Sequence, residues 1–201
     1  MKQEILSKQA SAWLPTEWGT FNVLAYAESP EERMPQLALL QQDFNPELPA
    51  YVRIHSECLT GDVFHSEKCD CGKQLQLSMD YLTNRNGVLI YLRQEGRGIG
   101  LINKLKAYEL QDQGMNTIEA NLHLGLKADD RRYDLAVQIL IDLGIHQLWL
   151  LTNNPAKIRA IDESGLELLG RIPVLSVPTI DNALYLKVKQ DQMGHILNLH
   201  Q

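Results

Sequence analysis

Three cysteines lie close together in the sequence and have the spacing of metal ligands. Cys58, Cys69 and Cys71 are the only cysteines, and two of the six histidines, His55 and His65, lie near them. The surrounding segments, HSECLTGD and SEKCDCGK, offer little of the apolar matrix that buries an inert thiol. A structural zinc site normally has four protein ligands, whereas a catalytic site has three and leaves the fourth position for water. Three thiolates therefore favour one catalytic zinc per chain, whereas a fourth ligand from His55 or His65 would make the site structural.

A glycine-rich loop with two arginines follows an apolar strand. The segment 93–100 is RQEGRGIG, and a predicted helix comes directly after it. Glycines let backbone amides approach an anion, and Arg93 and Arg97 can each donate two parallel hydrogen bonds to a phosphate. The spacing is neither that of a dinucleotide-binding motif nor that of a P-loop. Two interpretations remain open: a phosphate-binding loop, or an ordinary connection in which Glu95 pairs with a neighbouring arginine.

Two further helix starts carry groups that could act on a nucleotide. In KADDRRYD, residues 127–134, Asp129 or Asp130 is predicted to cap a helix, and near zinc one of them would carry a proton. In TNNPAK, residues 152–157, Asn154 is predicted to cap a helix that begins at Pro155. Thr152 and Lys157 lie where a strand end meets that helix, so they either reach a phosphate or a purine edge or belong to an ordinary capped helix.

The elements that position these residues alternate between strands and helices. This pattern predicts an α/β fold with a mixed sheet and flanking helices, and frequent prolines before residue 50 predict mainly antiparallel strands there. We expect one domain over residues 1–201, with a strand-rich part (1–50), a catalytic core (51–173) and a tail (174–201). The predicted strands are 21–27, 37–42, 51–55, 88–92 and 148–151, and the predicted helices are 73–82, 101–111, 131–143 and one from Pro155.

Composition excludes several classes of protein. The chain has 19 Lys plus Arg against 25 Asp plus Glu, a net charge of -6, which disfavours nucleic acid and anionic membranes as partners. The longest apolar run, Val88 to Leu92, is far shorter than the ~20 residues that span a bilayer. The start, MKQEILSKQA, lacks the continuous apolar stretch of a signal peptide. We therefore expect a cytoplasmic protein that has no membrane or nucleic-acid partner.

Six segments together resemble one enzyme family. In this order and spacing, VRIHSECLTGD, CDCGKQL, RQEGRGIGL, KAYELQDQG, LGLKADDRRYDLAVQIL and LLTNNPAK are similar to GTP cyclohydrolase II over about Tyr51 to Pro173, and LPTEWGTF resembles the family's start. The resemblance implies an enzyme that opens the imidazole ring of GTP, releases C8 as formate, removes pyrophosphate and begins riboflavin synthesis. It also implies a stand-alone enzyme, a homodimer, and Mg²⁺ with the substrate triphosphate.

The resemblance also assigns roles to individual residues. It implies that Cys58, Cys69 and Cys71 hold zinc. Tyr108, which helical periodicity alone would bury, is placed at the ring-opening centre, Asp129 is the proton acceptor, and Arg131 is a nucleophile at the α-phosphorus. Because a guanidinium offers only donors and has a pKa above ~12, electrostatic stabilisation is the simpler role for Arg131. The implied GTP-binding residues are Arg53, Ile54, His55, Ser56, Glu57, Gln74, Glu95, Gly96, Arg97, Thr117, Thr152 and Lys157.

Three points stay open at this stage. Glu95 either accepts hydrogen bonds from guanine or anchors Arg97. A related enzyme would open the ring yet retain the formyl group, and a formate assay distinguishes the two. A catalytically silent zinc module is the alternative from another functional class, and the acidic charge and the three-ligand metal group disfavour it.

Overall fold

The computed structural model describes residues 5–197, and the ends of the predicted head and tail, residues 1–4 and 198–201, lie outside the described residues. The chain forms two compact units, each built from three separate stretches. The first contains the described part of Met1–His55 with Gln76–Arg93 and Tyr133–Val174. The second contains Ser56–Leu75, Gln94–Arg132 and the described part of Leu175–Gln201. The units are thus interleaved along the sequence, whereas the predicted divisions at residues 50 and 173 are sequential.

The first unit is built on a seven-stranded sheet with the order β1-β2-β3-β5-β4-β6-β7. Strands β1, β2, β3 and β5 pair antiparallel, whereas β4, β6 and β7 pair parallel. The predicted mixed sheet with antiparallel N-terminal strands is therefore confirmed. The strands are β1 (Ser7–Thr16), β2 (Gly19–Ala27), β3 (Gln36–Gln41), β4 (Ala50–Ser56), β5 (Gly87–Leu92), β6 (Gln147–Leu151) and β7 (Glu167–Ile172).

Apolar strand residues and two helices form the core of this unit. Val52 and Ile54 of β4 and Val88 and Ile90 of β5 are fully buried, as the nearly continuous apolar runs predict. Helices α5 (Asp134–Asp142) and α6 (Pro155–Asp162) pack on the sheet, with Ile139 among the fully buried residues. This core fixes the ends of β4 and β6, from which several of the predicted site residues project.

The second unit is mainly helical. Its elements include the short helix α1 (Leu59–Asp62), a 3₁₀ turn (Glu95–Gly98), α3 (Leu101–Asp112), α4 (Thr117–His123) and α7 (Ala183–Met193). Helix α2 (Cys71–Leu82) begins in this unit and ends in the first. Within residues 5–197 there is no helix of the length and apolar character needed to cross a bilayer.

Some predicted boundaries are confirmed and others are wrong. Helix α6 begins at Pro155, and Asn154 accepts a hydrogen bond from the Ala156 amide, as predicted. Helix α5 begins at Asp134, not at residue 131, and neither Asp129 nor Asp130 caps it. The Asp129 carboxylate instead accepts hydrogen bonds from Arg131, which keeps residues 129–131 outside the helix. Strands β1 and β7 and helices α4 and α7 were not predicted.

Candidate active site

The three cysteines converge in the second unit. Their sulfur atoms all lie within 4.8 Å of one another, and Cys58 Sγ is 3.6 Å from Cys69 Sγ. Tetrahedral zinc with bonds of about 2.3 Å separates its sulfur ligands by about 3.8 Å, so the observed arrangement fits that metal. No histidine belongs to this group in the part of the chain that the structure describes. The group therefore offers three thiolates and could hold a metal ion, consistent with zinc.

Helices α1 and α2 bring the cysteines together. Cys58 directly precedes α1, and its amide donates to the Asp62 carboxylate at 3.0 Å, which closes this turn. Cys71 is the first residue of α2. At the next position, a Cβ atom on Gly72 would overlap the Gly61 carbonyl oxygen. Glycine is therefore required at residue 72 for α2 to approach α1 closely enough to group the three sulfurs.

A buried lysine lies against the metal group. Lys104 Nζ of α3 donates to Cys58 Sγ at 3.1 Å, to Thr60 Oγ1 at 2.8 Å and to Glu95 Oε1 at 2.9 Å. Burial opposes the charge of Lys104, but the negative charge of Cys58 and the contact with Glu95 outweigh it and raise the lysine pKa above its ordinary value. The sequence analysis missed Lys104; the one signal for it is its position one helical turn before Tyr108.

The three thiols share negative charge unequally. Hydrogen bonds from Cys69 and Cys71 hold the pKa of Cys58 well below its usual range, with a smaller contribution from Lys104. The hydrogen bond with Cys58 is the main cause that raises the pKa of Cys69 to about 11 and raises that of Cys71. Without metal, the charge is therefore centred on Cys58. Metal binding to three thiolates would release the remaining protons.

The glycine-rich loop is organised by Glu95. Its carboxylate accepts from the Leu59 amide at 2.6 Å and the Gly96 amide at 2.7 Å, in addition to Lys104. The ion-pair partner of Glu95 is therefore Lys104, and not an arginine as the alternative interpretation predicted. Gly98 has a φ of +91°, and a Cβ atom there would lie 3.0 Å from the Asp130 carbonyl, so glycine is needed at this position.

Arg97 carries an unused set of hydrogen-bond donors. It is 9% exposed and has a φ of +64°. Its two terminal guanidinium nitrogens are buried and have no hydrogen-bond partner among residues 5–197. Because leaving buried guanidinium donors without hydrogen-bond partners is costly, this arrangement points to an anionic ligand that completes the site.

Arg131 and Asp129 form a two-point ion pair in the same unit. Arg131 Nε donates to Asp129 Oδ1 at 2.9 Å, and Arg131 Nη2 donates to Asp129 Oδ2 at 2.5 Å. Burial opposes the charge of Asp129, but the hydrogen bonds from Arg131 outweigh it and lower the carboxyl pKa. Both side chains are therefore charged at neutral pH, which favours the electrostatic role of Arg131 over the nucleophilic one.

One cavity of the second unit collects most of the predicted residues that this unit contains. Two predicted residues of this unit do not line the cavity. Asp129 binds Arg131, which lines it, and Gln74 donates to Asp70. Burial is the main cause that raises the pKa of Tyr108 to about 12, so Tyr108 lines the cavity as a neutral hydroxyl. The predicted residues in the lining are Ser56, Glu57, Cys58, Cys69, Cys71, Glu95, Gly96, Arg97, Tyr108, Thr117 and Arg131.

The cavity also has walls that sequence patterns did not indicate. Lys104, Gln111, Asn121 and Tyr185 line it beside the predicted residues. Asn121 is 2% exposed, and its side-chain oxygen has no hydrogen-bond partner within the described chain. Asn121 therefore adds a neutral polar group to a wall that already holds the cation of Arg97.

The remaining predicted residues cluster in the first unit. Arg53 donates to the Leu151 carbonyl at 3.1 Å, and Lys157 Nζ donates to the Ile54 carbonyl at 2.7 Å. Thr152 Oγ1 accepts from the Asn154 amide at 3.0 Å. The ring of His55, also buried, stacks on Tyr91 with centroids 5.5 Å apart. The ends of β4 and β6 thus gather two cations, a hydroxyl and an imidazole.

The chain is similar to known proteins over nearly its whole length. Residues 7–173 match the family GTP cyclohydrolase II. A GTP cyclohydrolase-2 of Neisseria meningitidis is 48% identical over 97% of this chain and 98% of its own length. Another GTP cyclohydrolase-2, of Shewanella pealeana, is 47% identical over 95% of this chain and 91% of its own.

A longer relative is similar over part of its length. The riboflavin biosynthesis protein RibBA of Bacillus cytotoxicus is 46% identical over 98% of this chain, and this chain spans 50% of that protein. The family match covers the cysteine group, the Glu95 loop and both clusters of predicted residues. The chain therefore belongs to the GTP cyclohydrolase II family.

Proposed function

We propose that this chain opens the imidazole ring of GTP, releases C8 as formate and removes pyrophosphate, as the first step of riboflavin synthesis. The observation that carries the proposal is one cavity lined by both a three-thiolate metal group and the buried guanidinium of Arg97, whose terminal nitrogens have no hydrogen-bond partner among residues 5–197. GTP offers a matching pair of features, an electrophilic ring carbon and a triphosphate. The names of the relatives, GTP cyclohydrolase-2 and riboflavin biosynthesis protein RibBA, support the same reaction.

The cysteines and their neighbours serve ring opening. Cys58, Cys69 and Cys71 would hold zinc, which supplies a Lewis acid that activates water for attack on C8. Lys104 offsets the charge of the thiolates through its hydrogen bond to Cys58. Tyr108, neutral at physiological pH, donates its proton toward the ring nitrogen that leaves C8. Hydrolysis of both C8–N bonds then frees formate.

Arginines serve the phosphate end of the substrate. Arg97 donates its free guanidinium nitrogens to phosphate oxygens. Arg131, kept charged by Asp129, stabilises negative charge as the bond between the α- and β-phosphates breaks. Asp129 accepts a proton in the hydrolysis. Mg²⁺ bound to the substrate triphosphate would offset the negative charge of the pyrophosphate that leaves.

Other assignments rest on the family resemblance. Residues 53–57, Gln74, Thr117, Thr152 and Lys157 bind GTP. The cations Arg53 and Lys157 already have carbonyl partners and so present ordered, buried charge. The protein acts as a homodimer in the cytoplasm, where its free thiols stay reduced. Light scattering during size-exclusion chromatography tests the dimer.

A product assay tests the proposal. Purified protein is incubated with GTP and Mg²⁺, and formate and pyrophosphate are measured in the same samples. We expect equal amounts of both products, with ATP unreacted under the same conditions. Pyrophosphate without formate would identify the formyl-retaining reaction. Neither product from zinc-loaded protein would refute the proposed function.

A further inference from the structure

The C-terminal helix α7 contributes a wall of the cavity although it lies beyond the matched segment 7–173. Tyr185 of α7 lines the same cavity as Cys58 and Arg97. The helix also has three buried residues, Leu186, Val188 and Lys189. A helix that buries a lysine is held by a specific partner, because an isolated buried ammonium is strongly unfavourable.

That partner lies between two of the cysteines. Lys189 Nζ donates to Asp70 Oδ1 at 2.6 Å, and the two side chains are 8% and 1% exposed. Asp70 is the residue between Cys69 and Cys71. The other carboxylate oxygen of Asp70 accepts from Gln74 Nε2 at 2.5 Å. The ion pair therefore ties α7 to the chain segment that carries two of the three thiols.

The Asp70–Lys189 ion pair holds α7 where an aromatic ring of this helix contacts Arg97. Tyr185 lies one helical turn before Lys189, and its ring centroid is 4.7 Å from Lys189 Nζ. The same ring centroid is 5.6 Å from Arg97 Cζ, within the range of a cation–π contact. Arg97 has a left-handed backbone, and its terminal guanidinium nitrogens have no hydrogen-bond partner in the described part of the chain, so the ring is a contact that restrains its orientation.

From these contacts we propose that Tyr185 is a positioning residue for GTP binding: its ring holds the Arg97 guanidinium in place, and the Asp70–Lys189 pair fixes the ring relative to the cysteine segment. The inference rests on the proposed function, because it takes the triphosphate as the ligand of Arg97. Helix α7 then contributes to GTP binding in the active site. A ring that only restrains Arg97 acts equally on bound substrate and transition state, so it affects KM and not kcat.

Kinetics of two variants test the positioning role. Tyr185→Leu removes the ring, whereas Tyr185→Phe keeps it and removes only the hydroxyl. We expect Tyr185→Leu to raise the KM for GTP by about five- to thirtyfold with kcat within about twofold, and Tyr185→Phe to restore most of the wild-type KM. An unchanged KM in Tyr185→Leu would overturn the proposal. So would a fall in kcat and thermal stability at constant KM, since that indicates a structural role alone.

A zinc measurement tests the tie without using GTP. Lys189→Met leaves Asp70 buried without its cation, and Lys187→Met is the matched control because Lys187 is exposed on the same helix. In competition with a chromogenic chelator, we expect the zinc affinity of Lys189→Met to fall about tenfold and that of Lys187→Met to stay unchanged. Equal affinities would overturn the tie between α7 and the cysteine segment.

The two proposals fail in different ways. If wild-type protein produces neither formate nor pyrophosphate, the proposed function fails whatever the zinc measurement shows. If wild-type protein is active and Tyr185→Leu matches it in KM, the role of α7 fails and the proposed function stands.

Discussion

Replacing Lys104 with methionine removes a cation that contacts Cys58, Thr60 and Glu95 together. Methionine has a similar length and no charge, so the change removes hydrogen bonds and leaves little empty space. Cys58 loses a donor, and Glu95 stays buried with its two backbone donors, the amides of Leu59 and Gly96. The perturbation is therefore local to the site and electrostatic in origin.

The size of the effect follows from burial and from the partners that remain. Breaking a buried ion pair by removing one partner costs about 3 to 5 kcal/mol. Glu95 keeps two amide donors, which places Lys104→Met at the lower end, at about 3 kcal/mol. At ~1.4 kcal/mol per factor of ten, this loss makes the equilibrium constant for local opening of the site about a hundredfold larger.

Thiol reactivity is the appropriate assay because every cysteine lies in the perturbed unit. In metal-free protein, modification of the two buried thiols, Cys58 and Cys69, by an excess of a thiol reagent reports how often the site opens. We expect Lys104→Met to be modified about a hundredfold faster than wild type. Lys106→Met, at an exposed position on the same helix, should match wild type. Wild-type reactivity in Lys104→Met would show that Lys104 does not hold the site together.

Three further perturbations have defined outcomes. Arg131→Ala should lower pyrophosphate release about a hundredfold, with partial recovery in Arg131→Lys, because Asp129 holds a cation there; unchanged release measured with a pyrophosphate assay would remove Arg131 from the phosphoryl step. Glu95→Gln should lower kcat/KM for GTP and ITP to the same extent, because protein donors occupy both carboxylate oxygens; a selective loss of GTP use would instead assign guanine recognition to Glu95. Burial, together with the hydrogen bond to Asp142, raises the pKa of Tyr26 above its usual value, so the neutral form stabilises the fold below about pH 10 and this stabilisation is lost as pH rises further. Urea unfolding of Tyr26→Phe should therefore show lower stability at neutral pH and a smaller loss above pH 10, and an identical pH dependence in both proteins would contradict this.

The sequence is most informative where chemistry depends on residues close together in the chain. The spacing of Cys58, Cys69 and Cys71 predicted a three-thiolate group, and the structure brings the sulfurs together. The apolar runs of the sheet and the cap at Asn154 were equally predictable, because strand burial and helix capping are local in sequence.

Local sequence patterns did not predict the long-range contacts. Lys104 binds groups at residues 58, 60 and 95, and no periodicity indicates such a convergence. Helix α7 was missed because its apolar and charged residues are mixed around the helix: Lys189 is buried, whereas Leu184 is exposed. Strand β1 is exposed on both faces over most of its length, so it lacks the alternation that marks a half-buried strand. Each omission reflects tertiary structure that overrides local propensity.

Zinc titration of the metal-free protein, with formate release from GTP measured at each point, tests the central claim most directly. The claim is that opening of the GTP ring requires one metal ion, held by the three-cysteine group. The account predicts formate release that rises in proportion to zinc and stops rising at one zinc per chain, with no such rise in Cys71→Ser. Full formate release from protein without metal, or an equal response to zinc in Cys71→Ser, would contradict it.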